Sequence, residues 1–473
     1  MSVVLTGRAL TRDDVVRVAR EGARVEVAAG ALERMAASRA LADATAEAGT
    51  PTYGLTTGLG VQKRAPQQRD DAGFSRRQIA ESRAGLEPAA PPDAVRAAML
   101  VLANQLAGGS TCVRPALAER LARALNDGET PAVRSLGSVG ASDLAAMADL
   151  AHGVFAGVDL AAGEGLALIN TSAFGTGLAA LALADAATLV GAADVAGALC
   201  LEGFAANASV LHPAIERARP DPVLAQVLAG LRELLDGSFI WREGAARELQ
   251  DPLTYRSTAP IQAAARRALD HAEALLGIEL NAAQGNPLVS VEDGSILSTG
   301  IYEVAGLAAA LDYVRIAFAT MLTAASERSV KLLDTAWSGL PTGLLEEGGP
   351  DLGLSILAIT AEAVAAEACL LAQPVSFALT STSGAEGIED RASQLPLSAR
   401  RLSQMTDLGA GVVAIELVVA AQAVDVRRSA PLGRGTATAH GLVRQVVPTM
   451  TAGAPPPVDV EPVRALVRAG AFC

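Results

Sequence analysis

Six stretches of this chain, residues 176–206, 222–235, 258–283, 301–333, 353–373 and 397–425, repeat their apolar residues at helical spacing over lengths that suit a central bundle. The chain is 51% hydrophobic but only 3% aromatic, so a core of 473 residues has to be made from alanine, leucine and valine. Small aliphatic side chains favour close-packed helices over a sandwich of β-branched and aromatic strands. Thr11 followed by Asp13 and Asp14 opens a helical region that Gly49-Thr50-Pro51 closes, and Arg114-Pro115 opens another helix. Strand signals are few. The clearest is a small hairpin over 286–299, turning at Glu292-Asp293-Gly294.

A net charge of −13 argues against nucleic acid or an anionic membrane as partner and leaves a small molecule. The most apolar segments, 177–200 and 352–373, contain Asp185, Asp194, Glu362 and Glu367, which suit buried helices better than a bilayer. Cys112, Cys200, Cys369 and Cys473 are widely scattered, as are His152, His212, His271 and His440, so neither a disulfide framework nor a metal site is expected. Residues 1–10 lack the basic-then-apolar pattern of a secretory signal, which points to the cytoplasm.

The polar motifs lie between the helical stretches. They are Thr52-Tyr53-Gly54-Leu55-Thr56-Thr57-Gly58-Leu59-Gly60, Gly137-Ser138-Val139-Gly140-Ala141-Ser142-Asp143-Leu144, Gly165-Leu166-Ala167-Leu168-Ile169-Asn170, Gln250-Asp251-Pro252-Leu253-Thr254-Tyr255-Arg256, Asn281 to Val289, and Glu386-Gly387-Ile388-Glu389-Asp390. In this order they resemble the aromatic amino acid ammonia-lyase family, which includes histidine, phenylalanine and tyrosine ammonia-lyases and related aminomutases. The resemblance implies a mostly α fold, with a loop-rich N-terminal domain over 1–175 and a long-helix bundle over 176–473, assembled as a homotetramer whose sites draw on several subunits. It also implies elimination of ammonia from an L-amino acid to give an α,β-unsaturated acid. Tyr53 takes the place of the family's base, Arg256 that of the carboxylate clamp, and Asn170 that of the donor to the prosthetic group. Gln250, Asn286, Tyr302 and Glu389 fall among the substrate-contacting residues. The family's electrophile, methylidene-imidazolone, corresponds to Ala141-Ser142-Asp143.

Five positions depart from the family pattern. The glycine expected after Ser142 is missing, so Asp143 supplies the nitrogen that must attack the Ala141 carbonyl; its Cβ and charge oppose that step. The glycine after Asn170 is also absent, Leu253 and Ile388 replace polar residues, and Arg83 stands where the family selects its substrate ring. An Arg83 directed into the site would call for an acidic or strongly polar substrate side chain. The alternative to the ring-bearing ammonia-lyase is a ring-free relative with another elimination, isomerisation or amino-acid-binding role, or a non-catalytic partner of an active homologue. Plainer structural roles also remain open: Ser142 or Asp143 as the cap of a following helix, Asn170 as a cap before 173–190, Arg256 in a surface ion pair, and Glu389 paired with Arg391 or Arg400.

Overall fold

A computed structural model describes residues 2–67, 73–345, 351–377, 384–451 and 453–473. Helices dominate it, and among the described residues the strands form only three two-stranded pairs. The chain divides into two compact units that are discontinuous in sequence. The first comprises residues 1–184, 272–312 and 374–400; the second comprises 185–271, 313–373 and 401–473. The single cut expected at 175 is therefore replaced by a chain that leaves the first unit and rejoins it twice. Sequence periodicity could not show this, because four of the five boundaries, at 184, 271, 312 and 400, fall inside a continuous helix, Ala173–Phe204, Thr258–Leu280, Ala305–Leu333 and Leu395–Arg427; the fifth, at 373, follows helix Ile356–Leu370.

In the first unit, helix Arg12–Ala19 starts with a capping box: the Thr11 hydroxyl accepts from the Asp14 N–H and the Asp14 carboxylate accepts from the Thr11 N–H. A parallel strand pair, Val3–Leu5 with Val25–Val27, interrupts the helical region read over 11–48. Helix Pro92–Ala107 is buried from Ala94 to Ala107 apart from Arg96 and forms the middle of this unit's core. Gly177 lets helix Ala173–Phe204 approach it closely, since a Cβ there would lie 2.9 Å from the Ala98 nitrogen. Gly165 likewise brings helix Glu164–Ile169 against helix Phe74–Glu81; a Cβ at Gly165 would meet the Ser75 backbone at 2.5 Å. These two short helices form one wall of the cavity described below. The expected hairpin is present as Leu288–Ser290 with Ser295–Leu297, in register at Val289 and Ile296, and Gly294 takes a left-handed φ of 59° in its turn.

The second unit encloses an ion pair. Arg328 and Glu416, 1% and 0% exposed, meet at 2.5 Å. Tyr255 is fully buried beside them, stacked on Phe204 at 4.0 Å and donating to the Arg328 carbonyl at 2.9 Å, while Leu253 is exposed. Tyr255 is thus a core residue. Among the described residues, three helical segments, Glu164–Phe204, Ala305–Leu333 and Leu395–Arg427, are long and apolar enough to cross a bilayer, but 67%, 61% and 83% of their most apolar windows are buried within the protein. Their apolar surface is spent mainly on packing.

Candidate active site

A cavity of about 590 Å³ lies in the first unit, and Tyr53, Ala141, Asn170, Asn286, Tyr302 and Glu389 all line it. The Tyr53 loop is fixed from within: the N–H groups of Leu55, Thr56 and Thr57 all donate to the Thr52 carbonyl, and the Thr56 hydroxyl donates to the Thr50 carbonyl at 2.8 Å. Gly60, at φ 52°, turns its N–H toward the Tyr53 phenol oxygen at 3.1 Å. That donor stabilises a phenolate, but burial outweighs it and, with the nearby Glu389 carboxylate, holds the Tyr53 pKa above that of a free phenol. Tyr302 is raised in the same way, by burial first and then by Glu389 and Tyr53.

The signature loop is tightly held and left-handed at several residues, with φ of 120° at Gly137, 78° at Gly140 and 65° at Ser142. At Gly140 a Cβ would fall 2.1 Å from the Ser393 hydroxyl, which itself donates to the Gly140 carbonyl at 2.9 Å. Ala141 bridges the Glu303 backbone in antiparallel fashion. The Ser142 hydroxyl donates to the Asn170 side-chain oxygen, and the Asn170 amide donates to the Asn286 carbonyl at 3.2 Å. Asn170 therefore ends helix Glu164–Ile169 and does not cap the next helix through its side chain.

Asp143 precedes helix Leu144–Val154 but makes no side-chain cap to it. Its carboxylate reaches instead to the start of helix Ala173–Phe204, where Oδ2 accepts from the Gly175 N–H at 2.6 Å. The side chain is completely buried and Oδ1 has no hydrogen-bond partner. Burial pushes its pKa up to about 7 against the opposing pull of the Gly175 N–H and Arg400. Its backbone N–H donates to the Thr171 carbonyl at 2.8 Å. Formation of methylidene-imidazolone requires this same nitrogen to attack the Ala141 carbonyl. Here the nitrogen is committed to Thr171, its side chain is anchored at Gly175, and it carries a Cβ where glycine would be free. Ala141, Ser142 and Asp143 do not fit the ring.

The missing glycine after Asn170 is accommodated by a rebuilt network. Thr171 donates to the Gln105 side-chain oxygen at 2.5 Å, the Ser172 N–H donates to the Gln284 oxygen at 2.9 Å, and the Ser172 hydroxyl donates to the Tyr302 carbonyl at 2.8 Å. The departure thereby ties the Asn170 loop to the Tyr302 segment.

The expectation for Arg83 needs correcting. Its Nε donates to Asp149 at 3.0 Å, and Arg134 holds the same carboxylate at 2.7 Å. Asp149 is nearly inaccessible; burial raises its pKa, but Arg134 and Arg83 outweigh that and keep it below the usual carboxylate range. Arg83 is spent on this buried charge and does not line the cavity. The neighbouring Glu81 and Ser82 do, together with Gln78. With Glu303, Glu389 and Asp390, the described lining residues include four carboxylates against the guanidinium of Arg391, a balance that favours a cation, opposite to what an inward Arg83 implied. Arg400 donates to the Ser135 carbonyl at 3.0 Å and acts electrostatically on Asp143.

Gln250 and Arg256 belong to the second unit and do not line this cavity. Arg256 Nε donates to the Asp251 carbonyl at 2.7 Å, and among the described residues no carboxylate forms an ion pair with it. No cluster of metal-ligating side chains occurs among the described residues, and the four cysteines are unpaired. Gln78 and Glu303 are polar lining residues that motif reading missed.

The family model for aromatic amino acid lyases matches residues 10–158 and 155–445. Histidine ammonia-lyase of Stigmatella aurantiaca is 34% identical, over 98% of this chain and 96% of its own; that of Treponema denticola is 32% identical, over 95% and 93%. Among solved structures, ergothionase from Treponema denticola, an ergothioneine-degrading enzyme, superposes with a TM-score of 0.94 at 25% identity, over 100% of this chain and 99% of that one. Tyrosine aminomutase from Streptomyces globisporus gives 0.91 at 28%, over 100% and 98%. With a family match across most of its length and full-length likeness to ammonia-lyases, the chain belongs to the aromatic amino acid lyase family and is a carbon–nitrogen lyase.

Proposed function

We propose that this lyase eliminates an amine from an α-ammonium carboxylate without a self-made electrophile, and that its substrate nitrogen is therefore quaternary. The observation that carries this reading is Asp143: its N–H and carboxylate are both committed at the position where the ring would have to close. A primary ammonium surrenders an N–H proton to any base strong enough to take a carbon proton, and the resulting neutral amine is then a poor leaving group. A quaternary nitrogen has no such proton and keeps its charge until it leaves. In the reaction the Cβ–H bond breaks and the proton passes to the Tyr53 oxygen. The freed pair forms the Cα–Cβ double bond, and the Cα–N pair departs with a neutral tertiary amine, leaving an α,β-unsaturated carboxylate.

The acidic lining and the phenols of Tyr53 and Tyr302 support this assignment, since carboxylates and aromatic faces both attract a permanent cation. A bound cation also lowers the Tyr53 pKa that burial and Glu389 raise, so the substrate helps to activate its base. Ergothioneine, the compound named for the 0.94 neighbour, is itself a trimethylammonium betaine. Arg256 serves as the carboxylate clamp in a neighbouring copy of a cytoplasmic homotetramer; that no carboxylate among the described residues forms an ion pair with it supports that role.

The test is to incubate the purified full chain with histidine and with its trimethyl betaine, identifying the released amine and following the absorbance of the unsaturated acid. Turnover of the betaine alone is expected. Ammonia from histidine with no turnover of the betaine overturns the reading and restores the ammonia-lyase of the curated relatives.

A further inference from the structure

We propose that Gln78 is the side chain that reads the substrate ring, and that the ring presents an N–H donor beside an acceptor, as the edge of an imidazole-thione or imidazolone does. This rests on the cavity being the reaction site, as proposed above. Gln78 lies on helix Phe74–Glu81, lines the cavity, and is only 4% exposed. Neither its Oε1 nor its Nε2 has a hydrogen-bond partner. Buried side-chain amides almost always find partners, so a carboxamide orphaned at both ends in the wall of a reaction cavity is a recognition group awaiting its complement. One ligand edge that donates to Oε1 and accepts from Nε2 satisfies both atoms together.

The surroundings give that task to Gln78. Ser82, one turn further on, donates its hydroxyl proton to the Gln78 backbone carbonyl at 2.9 Å, so it offers a ligand only lone pairs. Arg83 is tied to Asp149. The Gly165–Ser75 approach fixes the helix carrying Gln78 against the helix carrying Leu166 and Ile169, so this lining residue belongs to a rigid wall and not to a mobile loop. A phenyl ring would leave both amide atoms unpaired. Sites built around hydrogen bonds reject such analogues strongly, whereas apolar pockets discriminate weakly.

The experiment compares wild type and Gln78→Leu on two trimethyl betaines, one bearing the imidazole-thione ring and one bearing phenyl, reading both kcat/KM and equilibrium binding by calorimetry. The expected result is a strong wild-type preference for the thione ring that collapses about 100-fold in Gln78→Leu, with Gln78→Glu keeping part of it through its remaining acceptor. An undiminished melting temperature in Gln78→Leu shows that the fold persists. An unchanged preference, or equal losses on both rings, overturns the proposal. If neither betaine is eliminated, the elimination reading fails, but the binding ratio still decides the role of Gln78.

Discussion

The signature loop, Gly137 to Asp143, and the Tyr53 loop, Thr52 to Gly60, are both glycine-rich, both hold left-handed residues, and both border the same cavity, yet they depart from the family pattern to different degrees. In the Tyr53 loop, Gly54 at φ 68° packs against Leu166, and Gly60 delivers to the phenol an N–H that favours its ionised form. In the signature loop the position that must cyclise is occupied by a buried aspartate with its amide and carboxylate engaged elsewhere. In the proposed reaction, proton abstraction and amine activation fall to separate pieces of backbone, so a chain can keep the first while changing the second.

The largest effect should come from the Tyr53 loop. Tyr53→Phe is expected to lower kcat on a betaine substrate by about 10³-fold with little change in KM, because it removes the proton acceptor and keeps the ring. Equal activity would show that another group is the base.

Asp143→Asn probes the other loop through stability. The unfolded aspartate loses its proton near 3.8, whereas the folded one holds it to about 7. Between those values the native state binds more protons than the unfolded state, so wild-type stability falls as pH rises from about 4 to about 7 and stays lowered above that. Three units at 1.36 kcal/mol each make this on the order of 4 kcal/mol. Asparagine keeps an acceptor for the Gly175 N–H, so its denaturant midpoint should lack this fall, as urea titrations at pH 5 and pH 8 will show. A parallel fall in the variant assigns it to other groups.

Glu389→Gln is expected to raise KM for a quaternary substrate by about tenfold, roughly 1.4 kcal/mol of lost attraction. It should also move the rising limb of the pH–rate profile to lower pH, because Glu389 raises the Tyr53 pKa. An unmoved limb separates Glu389 from the base. The smallest effect belongs to Ser142→Ala, about threefold or less in kcat, since the account gives Ser142 only a hydrogen bond to Asn170. Complete loss of activity would return it to the centre of the chemistry.

The helices were readable because alanine and leucine recur with one period from end to end; their membership of two interleaved units was not, since nothing in a continuous apolar helix marks where its packing partners change. The residues quoted from short motifs, Tyr53, Asn170, Asn286 and Glu389, line the cavity because backbone geometry near glycine and proline places them locally. Arg83 misled because its partner, Asp149, lies 66 residues away, and a buried carboxylate outcompetes a cavity for a nearby guanidinium. Gln78 gave no signal, since an amide on a short polar helix reads as surface until its burial is known. Asp143 was conspicuous as a missing glycine, but its contacts to Thr171 and Gly175 are tertiary and needed the fold.

The most direct test of the central claim is the intact mass of the purified chain, since closing the ring removes two waters. The account predicts the mass of the unmodified sequence, unchanged in Ser142→Ala apart from the substituted atom. A deficit of two waters that disappears in Ser142→Ala would contradict it and show that Asp143 yields its nitrogen to the ring after all.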